Sequence, residues 1–582
     1  MDKEVTACAR HSMARSGHTG STCASWRCIN LHLVQMRRWN QFRLPRKIQC
    51  FLLLSFFFNM ISMFLSYQAW EAVSSDPQAR LLHPSNYPSP LDPSPLDPSP
   101  LDKSTLDSSK TSASELYLDP AMDMTGKEEM EEVLDTLPNL PFSYRERNDP
   151  HFGSGNNNCS KYPELFDIHF NSIYWQVLQT SNGSFYMYSA FYDNRTLSKH
   201  SPSLRILAMI NRIEPSVKTK CKIWFNDKIS PVIVNVSEYR YIWYKEWGNY
   251  NQGILQPYLL ECIVPAEHRQ LVPQSVSLVE QPCDKPTNNL RVINNQPQNG
   301  QKKNFAVCVK GLDFYIDKTV RIVEWLELLF LLGADKVFLY NMGLQPSINK
   351  VLKYYERLGL VDVKKLSLPG EQPNERNLLH KYLKNKGLHK RQNEVIPYND
   401  CFYRNMNHYK YIVLLDTDEV IVPKTASDWR SLLDQVVAEV KEARNRTLVS
   451  YCARNAYFLD SMQEAHGYFH DIPSYMHLMQ HVYRAANYSK PGYNMKCFHD
   501  TQKVLTLHNH YPFSCLDHCK TLDMPTEYAH LQHSRKYCVD DQRKICPSLL
   551  NDTVLDNTIW RYKEPLIKKT FDVLRYFGFL KS

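Results

Sequence analysis

The amino-acid sequence predicts an α/β fold: a mixed, mostly parallel sheet flanked by helices, preceded by a smaller β-rich domain and by a single N-terminal transmembrane helix. Three observations support this prediction. Residues 48–70 carry no charge, residues 159–290 contain short alternating runs rich in aromatics, and strand-like runs alternate with helical patterns from residue 304 onward. The last pattern is typical of parallel sheets, because a helix returns the chain to the start of the next strand. The resulting divisions are 1–47, 48–70, 71–150, 151–300 and 301–582.

The segment 48–70 is predicted to be a membrane anchor. Its 23 uncharged residues, at about 1.5 Å each, are long enough to cross a hydrocarbon core of about 30 Å. Arginines and a lysine precede it, which predicts a cytosolic tail at 1–47 and a lumenal remainder. A cleaved signal peptide is the alternative, but no clear cleavage site follows the segment. We therefore expect a single-pass type II protein retained in the Golgi membrane.

Seven N-x-S/T triplets predict glycosylation of the part that follows the anchor, and none precedes it. Because such triplets also arise by chance, their one-sided distribution is supporting evidence for the topology. Their asparagines are Asn158, Asn182, Asn194, Asn235, Asn445, Asn487 and Asn551.

Twelve of the 16 cysteines follow the predicted anchor, where an oxidising compartment permits disulfides. The late cluster of Cys515, Cys519, Cys538 and Cys546 could hold two of them, although the connectivity cannot be read from the sequence. Nearby histidines make zinc the competing interpretation. Their spacing matches no common zinc motif, which favours disulfides.

Residues 71–150 are predicted to be a stem without a core. A five-residue repeat rich in proline, serine and aspartate occupies residues 89–103, and such a sequence favours an extended chain. The formal net charge of +9 is spread thinly over the whole chain. No basic and aromatic stripe occurs, so we expect no nucleic-acid partner.

Residues 151–300 are predicted to be an accessory domain of antiparallel strands. Runs such as residues 185–192, 203–210 and 237–244 are separated by Asn, Gly and Pro turns, as in antiparallel sheets. Exposed aromatics could bind a glycan, but a packing module is the simpler interpretation.

From residue 304 to residue 415 strand and helix patterns alternate. Strands are predicted at 304–309, 334–340, 361–366 and 411–415, and helices at 322–333, 348–358 and 399–407. Ligands of such sheets bind at the carboxyl ends of the strands. Neither a G-x-G-x-x-G fingerprint nor a Walker loop occurs, which excludes the usual dinucleotide and P-loop sites.

Two carboxylates, Asp416 and Asp418, directly follow the apolar run 411–415. Hard oxygen ligands at a strand end suit Mn²⁺ or Mg²⁺, ions that also bind substrate phosphates. The sequence therefore predicts a site for a metal ion and a diphosphate at this position.

Six motifs occur in order between residues 300 and 515: residues 307–310, 323–325, 332–341, 399–401, 410–423 and 496–508. Together they resemble glycosyltransferase family 92, and the remainder of the chain resembles the avian members that add β1,4-linked galactose to galactose on N-glycans. The resemblance implies a GT-A-like catalytic domain at 301–582, with a Cys-rich C-terminal part. It also implies metal-dependent, inverting transfer of galactose from UDP-galactose; relatives that galactosylate fucose leave another acceptor open.

The resemblance also implies roles for individual residues. Asp416 and Asp418 would hold Mn²⁺, with Asp416 alternatively on the ribose, and a late histidine would complete the metal site. His508 fits the family pattern better than His510. The residues expected to face the uridine or diphosphate are Lys310, Tyr340, Asn341 and Asp400.

An inverting transfer requires a base that accepts the proton of the acceptor hydroxyl. The candidates are Glu464, which we prefer, Asp460 and Asp471. Relatives often carry a glutamate near the position of Gln480 and His481, and this chain departs from that pattern. Two other classes of protein remain open: a lumenal metal-dependent hydrolase, and a membrane-tethered glycan-binding protein without catalysis.

Overall fold

The computed structural model describes residues 137–146, 158–297, 299–444, 448–538 and 546–580. These residues belong to one compact unit of the chain, Leu118–Ser582. The predicted cytosolic tail, membrane anchor and most of the stem lie outside the described residues.

The first sheet has nine strands, which pair in the order β1-β2-β3-β4-β7-β6-β5-β8-β9. All ladders between these neighbours are antiparallel, and only the additional pairing of β3 with β9 is parallel. The strands are β1 Phe170–Ser172, β2 Trp175–Thr180, β3 Gly183–Asp193, β4 Ser203–Ile210, β5 Lys220–Trp224, β6 Val232–Tyr241, β7 Gln256–Ile263, β8 Ser275–Val279 and β9 Leu290–Ile293.

The second part of the chain contains the remaining strands. They are β10 Lys303–Leu312, β11 Lys336–Asn341, β12 Val361–Lys365, β13 Tyr409–Leu414, β14 Glu419–Pro423, β15 Ser450–Ala453, β16 Asn455–Leu459, β17 Tyr483–Ala485, β18 Lys496–Asp500, β19 Val504–Leu507, β20 Pro512–Cys515, β21 Thr521–Asp523, β22 Ala529–Arg535 and β23 Thr553–Leu555. Seven of them form a sheet in the order β12-β11-β10-β13-β18-β15-β21. Strands β14, β22 and β16 form a separate sheet of three.

The described residues form ten α-helices. They are α1 Ser143–Glu146, α2 Thr319–Leu331, α3 Pro346–Arg357, α4 Arg376–Asn385, α5 Gly387–Asn405, α6 Trp429–Arg444, α7 Asp460–His466, α8 His477–Gln480, α9 Cys546–Asn551 and α10 Lys563–Tyr576. Apolar residues of α2, α3, α6 and α10 share one core with the seven-stranded sheet. Helix α5 shares a second core with the opposite face and with the nine-stranded sheet, so it lies between the two sheets.

The predicted fold class is wrong. Instead of a mostly parallel, GT-A-like sheet preceded by a smaller β-rich domain, the described chain is β-rich, and its largest sheet is the antiparallel one with nine strands. The alternation of strands and helices ends at β13, because β18 runs antiparallel to both β13 and β15. The later strands are only three to seven residues long. Runs of that length carry little periodicity, which is why the sequence did not predict them.

The prediction of a type II protein in the Golgi membrane is corrected as well. None of the helices in the described part of the chain is long and apolar enough to cross a membrane. The predicted anchor, residues 48–70, lies outside the described residues.

Six disulfides connect the cysteines of the described residues, which confirms the prediction of disulfides. The late cluster forms two of them, Cys515–Cys519 and Cys538–Cys546, so its thiols are not zinc ligands. The others are Cys159–Cys283, Cys221–Cys262, Cys308–Cys401 and Cys452–Cys497.

The Cys308–Cys401 bridge is expected to contribute strongly to stability, because it closes a loop of 93 residues between β10 and α5. Replacing both cysteines with alanine should lower the free energy of unfolding by about 4 kcal/mol. The matched control removes Cys515–Cys519, whose separation is only 4 residues and whose loss should cost about 2 kcal/mol. Denaturant unfolding measures both variants. An equal loss in the two would contradict the loop-length argument.

Candidate active site

Asp416, Thr417 and Asp418 form a tight turn between β13 and β14. The N–H of Glu419 donates to the carbonyl of Asp416 at 3.0 Å, and the Glu419 carboxylate accepts from the N–H of Asp416 at 3.2 Å. The buried indole of Trp325 donates to the carbonyl of Glu419 at 2.9 Å. The turn is therefore held through its own backbone N–H and carbonyl groups, while its two aspartate side chains remain available for other contacts.

Asp416 lies between two lysines from neighbouring strands. Lys310 of β10 places its Nζ 3.0 Å from Oδ1, and Lys496 of β18 places its Nζ 3.4 Å from Oδ2. The fully buried Lys496 ammonium also lies 3.1 Å from Oε2 of Glu419. Burial would raise the pKa of Asp416, but Lys310 and Lys496 hold it well below its ordinary value. Asp416 is consequently a fixed anion whose charge is already balanced.

Asp418 is the more accessible carboxylate, with 41% of its side chain exposed, and it faces His533. Their Oδ2 and Nε2 atoms are 3.8 Å apart, beyond hydrogen-bonding distance. Strand β22 brings His533 here, because its register pairs His533 with Glu419. Burial tends to raise the pKa of Asp418, but His533 lowers it to about 2. A carboxylate oxygen and an imidazole nitrogen thus face one another at the turn.

A cleft opens beside Asp418 and Thr417, and cationic side chains line its other wall. Lys318 immediately precedes α2, and Arg321 is the third residue of this helix. Both side chains line the cleft. The amino end of a helix carries free N–H groups and partial positive charge, which favours anions. The cleft therefore combines an anionic turn with a cationic wall, as a metal-bound phosphate requires. The remaining lining residues are Ile322, Glu324, His477 and Leu478.

The structure separates the predicted donor-binding residues into two groups. Lys310 contacts Asp416, as described, whereas Asn341 caps a turn, where its Oδ1 accepts from the N–H groups of Gly343 and Leu344 at 2.9 and 3.0 Å. Tyr340 and Asp400 are 1% and 0% exposed, and the tyrosine hydroxyl donates to the carboxylate at 2.6 Å. Their side chains are thus engaged with each other, and their role in donor binding stays a prediction.

The predicted third metal ligand, His508, packs against tryptophan. Its ring centroid lies 4.5 Å from that of Trp247 and 6.0 Å from that of Trp243. Burial, Lys496 and Arg391 lower its pKa to about 4. Among the described residues, no hydrogen bond or ion pair joins His508 to Asp416 or Asp418, so its role in the metal site stays a prediction. The alternative, His510, donates from Nδ1 to the carbonyl of Met495 at 3.1 Å.

The three candidate bases occupy different surroundings. Glu464 is exposed on α7, and the exposed Asp471 pairs with Lys563. Asp460, the first residue of α7, places its Oδ1 3.0 Å from Nε2 of His481. Asp460 thus forms a cluster with His477 and His481, and the identity of the base stays a prediction.

The predicted glycosylation sites are accessible wherever the structure describes their side chains. Asn182, Asn194, Asn235, Asn487 and Asn551 are all exposed. Asn445 and the side chain of Asn158 lie outside the described residues.

The site residues that sequence reasoning did not assign are Lys318, Arg321, His477, Lys496 and His533. Each reaches the turn or the cleft through a contact distant in the chain; Lys496, for instance, lies 80 residues from Asp416. Lys496 could have been found from the sequence, because it is the first residue of the family motif at 496–508. No local pattern indicates His533, because only the pairing of β14 with β22 brings it to Asp418.

The comparison with protein families supports one class of protein for this fold and site, a glycosyltransferase. Residues 303–570 match the model of Glycosyltransferase family 92. The match begins at β10 and ends within α10, and it therefore includes Asp416, Asp418, Lys496 and His533, but not the nine-stranded sheet. It does not single out the avian members of the family. No curated protein matches the chain.

Proposed function

We propose that the protein transfers galactose from UDP-galactose to the terminal galactose of N-glycans in β1,4 linkage, with inversion and with a bound divalent ion. The observation that carries this proposal is the pairing of Asp418 with His533 at a cleft that Lys318 and Arg321 line. A nucleotide sugar presents a diphosphate, which needs both a cation and positive side chains.

The donor atoms of Asp418 and His533 fit a metal ion. They are 3.8 Å apart without a hydrogen bond, so Oδ2 of Asp418 and Nε2 of His533 would hold the ion together. A carboxylate suits Mn²⁺ and Mg²⁺, whereas imidazole suits transition ions, so the pair favours Mn²⁺. When bound, the ion neutralises charge on the diphosphate as UDP departs.

The remaining residues of the site have supporting roles in this proposal. Lys318, Arg321 and the amino end of α2 bind the diphosphate and hold the donor in the cleft. Lys310 and Lys496 keep Asp416 ionised and in one orientation, so that it can accept a hydrogen bond from a donor hydroxyl. The contacts of Asp416 with Lys310 and Lys496 already exist without a donor, and such preorganised charge is what catalysis requires.

The deciding experiment is a panel of nucleotide sugars assayed on purified protein with galactose-terminated and fucose-terminated N-glycans. Transfer of galactose alone from UDP-galactose is expected, with loss of activity in a chelator and recovery on addition of Mn²⁺. Release of free galactose without acceptor glycosylation would instead indicate a hydrolase. The absence of transfer from every donor, with the fold intact, would overturn the proposal.

Arg321→Met should raise KM for UDP-galactose about tenfold, because a hydrogen bond to a charged group contributes about 1.5 to 3 kcal/mol. The matched control is Arg357→Met, at the exposed end of α3 away from the cleft-lining residues. Initial-rate kinetics over a range of donor concentrations measures both variants. An unchanged KM in Arg321→Met would show that the cationic wall of the cleft does not bind the donor.

A further inference from the structure

Asp460, His477 and His481 form a compact cluster next to the candidate active site. One ligand atom from each lies within 4.8 Å of the others. Asp460 opens α7, His477 opens α8, and His481 follows the last residue of α8. Among the described residues, Asp418 is not part of this group, although His477 and Asp418 line the same cleft.

The hydrogen bond of His481 determines which of its nitrogens is free. Its Nδ1 lies 2.7 Å from the carbonyl oxygen of His477. A carbonyl can only accept, so Nδ1 carries a proton and donates it. In the neutral imidazole, Nε2 then holds a lone pair. The arrangement matches metal-binding histidines, which commonly donate their other N–H to a backbone carbonyl.

Nε2 of His481 faces Oδ1 of Asp460, which is also a hydrogen-bond acceptor. Nε2 of His481 and Oδ1 of Asp460 are 3.0 Å apart, yet neither atom has a hydrogen-bond partner among the described residues. His481 is only 5% exposed, so bulk water does not reach it freely. Two buried acceptors at this distance repel each other unless a cation or an additional proton lies between them.

His477 supplies a second imidazole to the cluster. Its ring centroid is 3.9 Å from that of His481. A ring nitrogen of His477 lies within the 4.8 Å cluster with Asp460 and His481 and is the third potential ligand.

Buried side chains hold the backbone of α8 at both ends. The Glu324 carboxylate accepts from the N–H groups of Leu478 and Met479 at 3.0 and 3.1 Å. The amide of Gln532 donates to the carbonyl of His481 at 3.2 Å. The two histidines are therefore oriented before any ligand binds, as a metal site requires.

We propose that Asp460, His477 and His481 bind a divalent transition-metal ion, with Zn²⁺ preferred, at a site separate from Asp418 and His533. Two imidazoles and one carboxylate suit zinc, whereas Mg²⁺ and Ca²⁺ prefer oxygen ligands. Three protein ligands leave a position for water or for a substrate oxygen. Asp460 is then a metal ligand and not the general base. The proposal does not depend on the sugar that the enzyme transfers.

The test measures zinc in the intact protein without substrate. Protein dialysed against Zn²⁺ and then against metal-free buffer is analysed by elemental mass spectrometry, and Co²⁺ replaces Zn²⁺ for visible absorption spectroscopy. One ion per chain and a tetrahedral or five-coordinate Co²⁺ spectrum are expected. His481→Gln, which can still donate to the carbonyl of His477, and Asp460→Asn should weaken Zn²⁺ binding at least about 100-fold.

Two controls separate this site from others. His518→Ala, at a side chain that is 83% exposed, and Asp418→Asn should both retain the zinc. Circular dichroism and thermal unfolding show whether the His481 and Asp460 variants remain folded. The proposal is overturned if the wild-type protein takes up no zinc, if folded His481→Gln retains it, or if Asp418→Asn loses it. A second proton on His481 in metal-free buffer, seen by NMR with no zinc uptake, would identify an ion pair instead.

Discussion

Asp418→Asn is expected to lower kcat/KM for UDP-galactose by about 10³-fold, equivalent to about 4 kcal/mol of transition-state stabilisation. Asparagine has the same shape, and the hydrogen bond from the N–H of Ser534 to the backbone carbonyl of residue 418, 2.9 Å long, does not involve the side chain. The substitution therefore removes the negative charge that faces His533 and leaves the turn intact. Without this charge the proposed site holds its ion weakly.

The control for this prediction is Asp434→Asn, at an exposed position of α6. Both proteins are assayed over a range of Mn²⁺ concentrations, and Mn²⁺ binding is followed by electron paramagnetic resonance. Asp418→Asn should require far more Mn²⁺, whereas Asp434→Asn should match the wild type. If Asp418→Asn kept full activity at low Mn²⁺, the assignment of Asp418 as the metal ligand would be wrong.

Asp400→Asn is expected to lower the free energy of unfolding by about 3 to 5 kcal/mol, because it leaves a buried cation without its counter-ion. The Asp400 carboxylate accepts from Ser189 and Tyr340 at 2.6 Å each and from Nε of Arg404 at 2.7 Å. Burial lowers the pKa of Arg404, but Asp400 outweighs this effect and raises it. Neutralising residue 400 therefore affects three partners at once.

The chain offers a matched control on a different helix. Asp572 in α10 pairs with Lys568 at the same spacing of four residues, but both side chains are substantially exposed. Asp572→Asn should change the free energy of unfolding by less than about 0.5 kcal/mol. Denaturant unfolding measures both. A stable Asp400→Asn with a raised KM for the donor would instead support the role in donor binding that the family resemblance implies.

The sequence predicted the acidic turn because its signal is local. Five apolar residues precede Asp416, and β13 occupies nearly the same positions, Tyr409–Leu414. The same holds for β10 and β11, whose apolar runs, residues 305–309 and 337–340, are uninterrupted. In contrast, α5 extends over Gly387–Asn405 and contains Pro397. A proline inside a helix hides the helical pattern in the sequence. Only residues 399–407, which follow Pro397, were therefore predicted to be helical.

The rest of the site depends on strand pairing that no local pattern reveals. Lys496 reaches Asp416 because β18 lies beside β13, and His533 reaches Asp418 because β22 lies beside β14. For His508, the family pattern predicts a metal ligand, but it does not predict that the ring packs on Trp247. The error in fold class has the same origin, since the direction of β18 cannot be read from its own residues.

The position of α5 between the two sheets has a consequence for the segment that matches the family. Val395, Ile396 and Phe402 of this helix share a core with residues of the nine-stranded sheet, among them Phe191 and Leu259. A truncated protein of residues 303–570 would expose that apolar surface to water and would aggregate. The smallest autonomous folding unit therefore includes the nine-stranded sheet and begins upstream of β1.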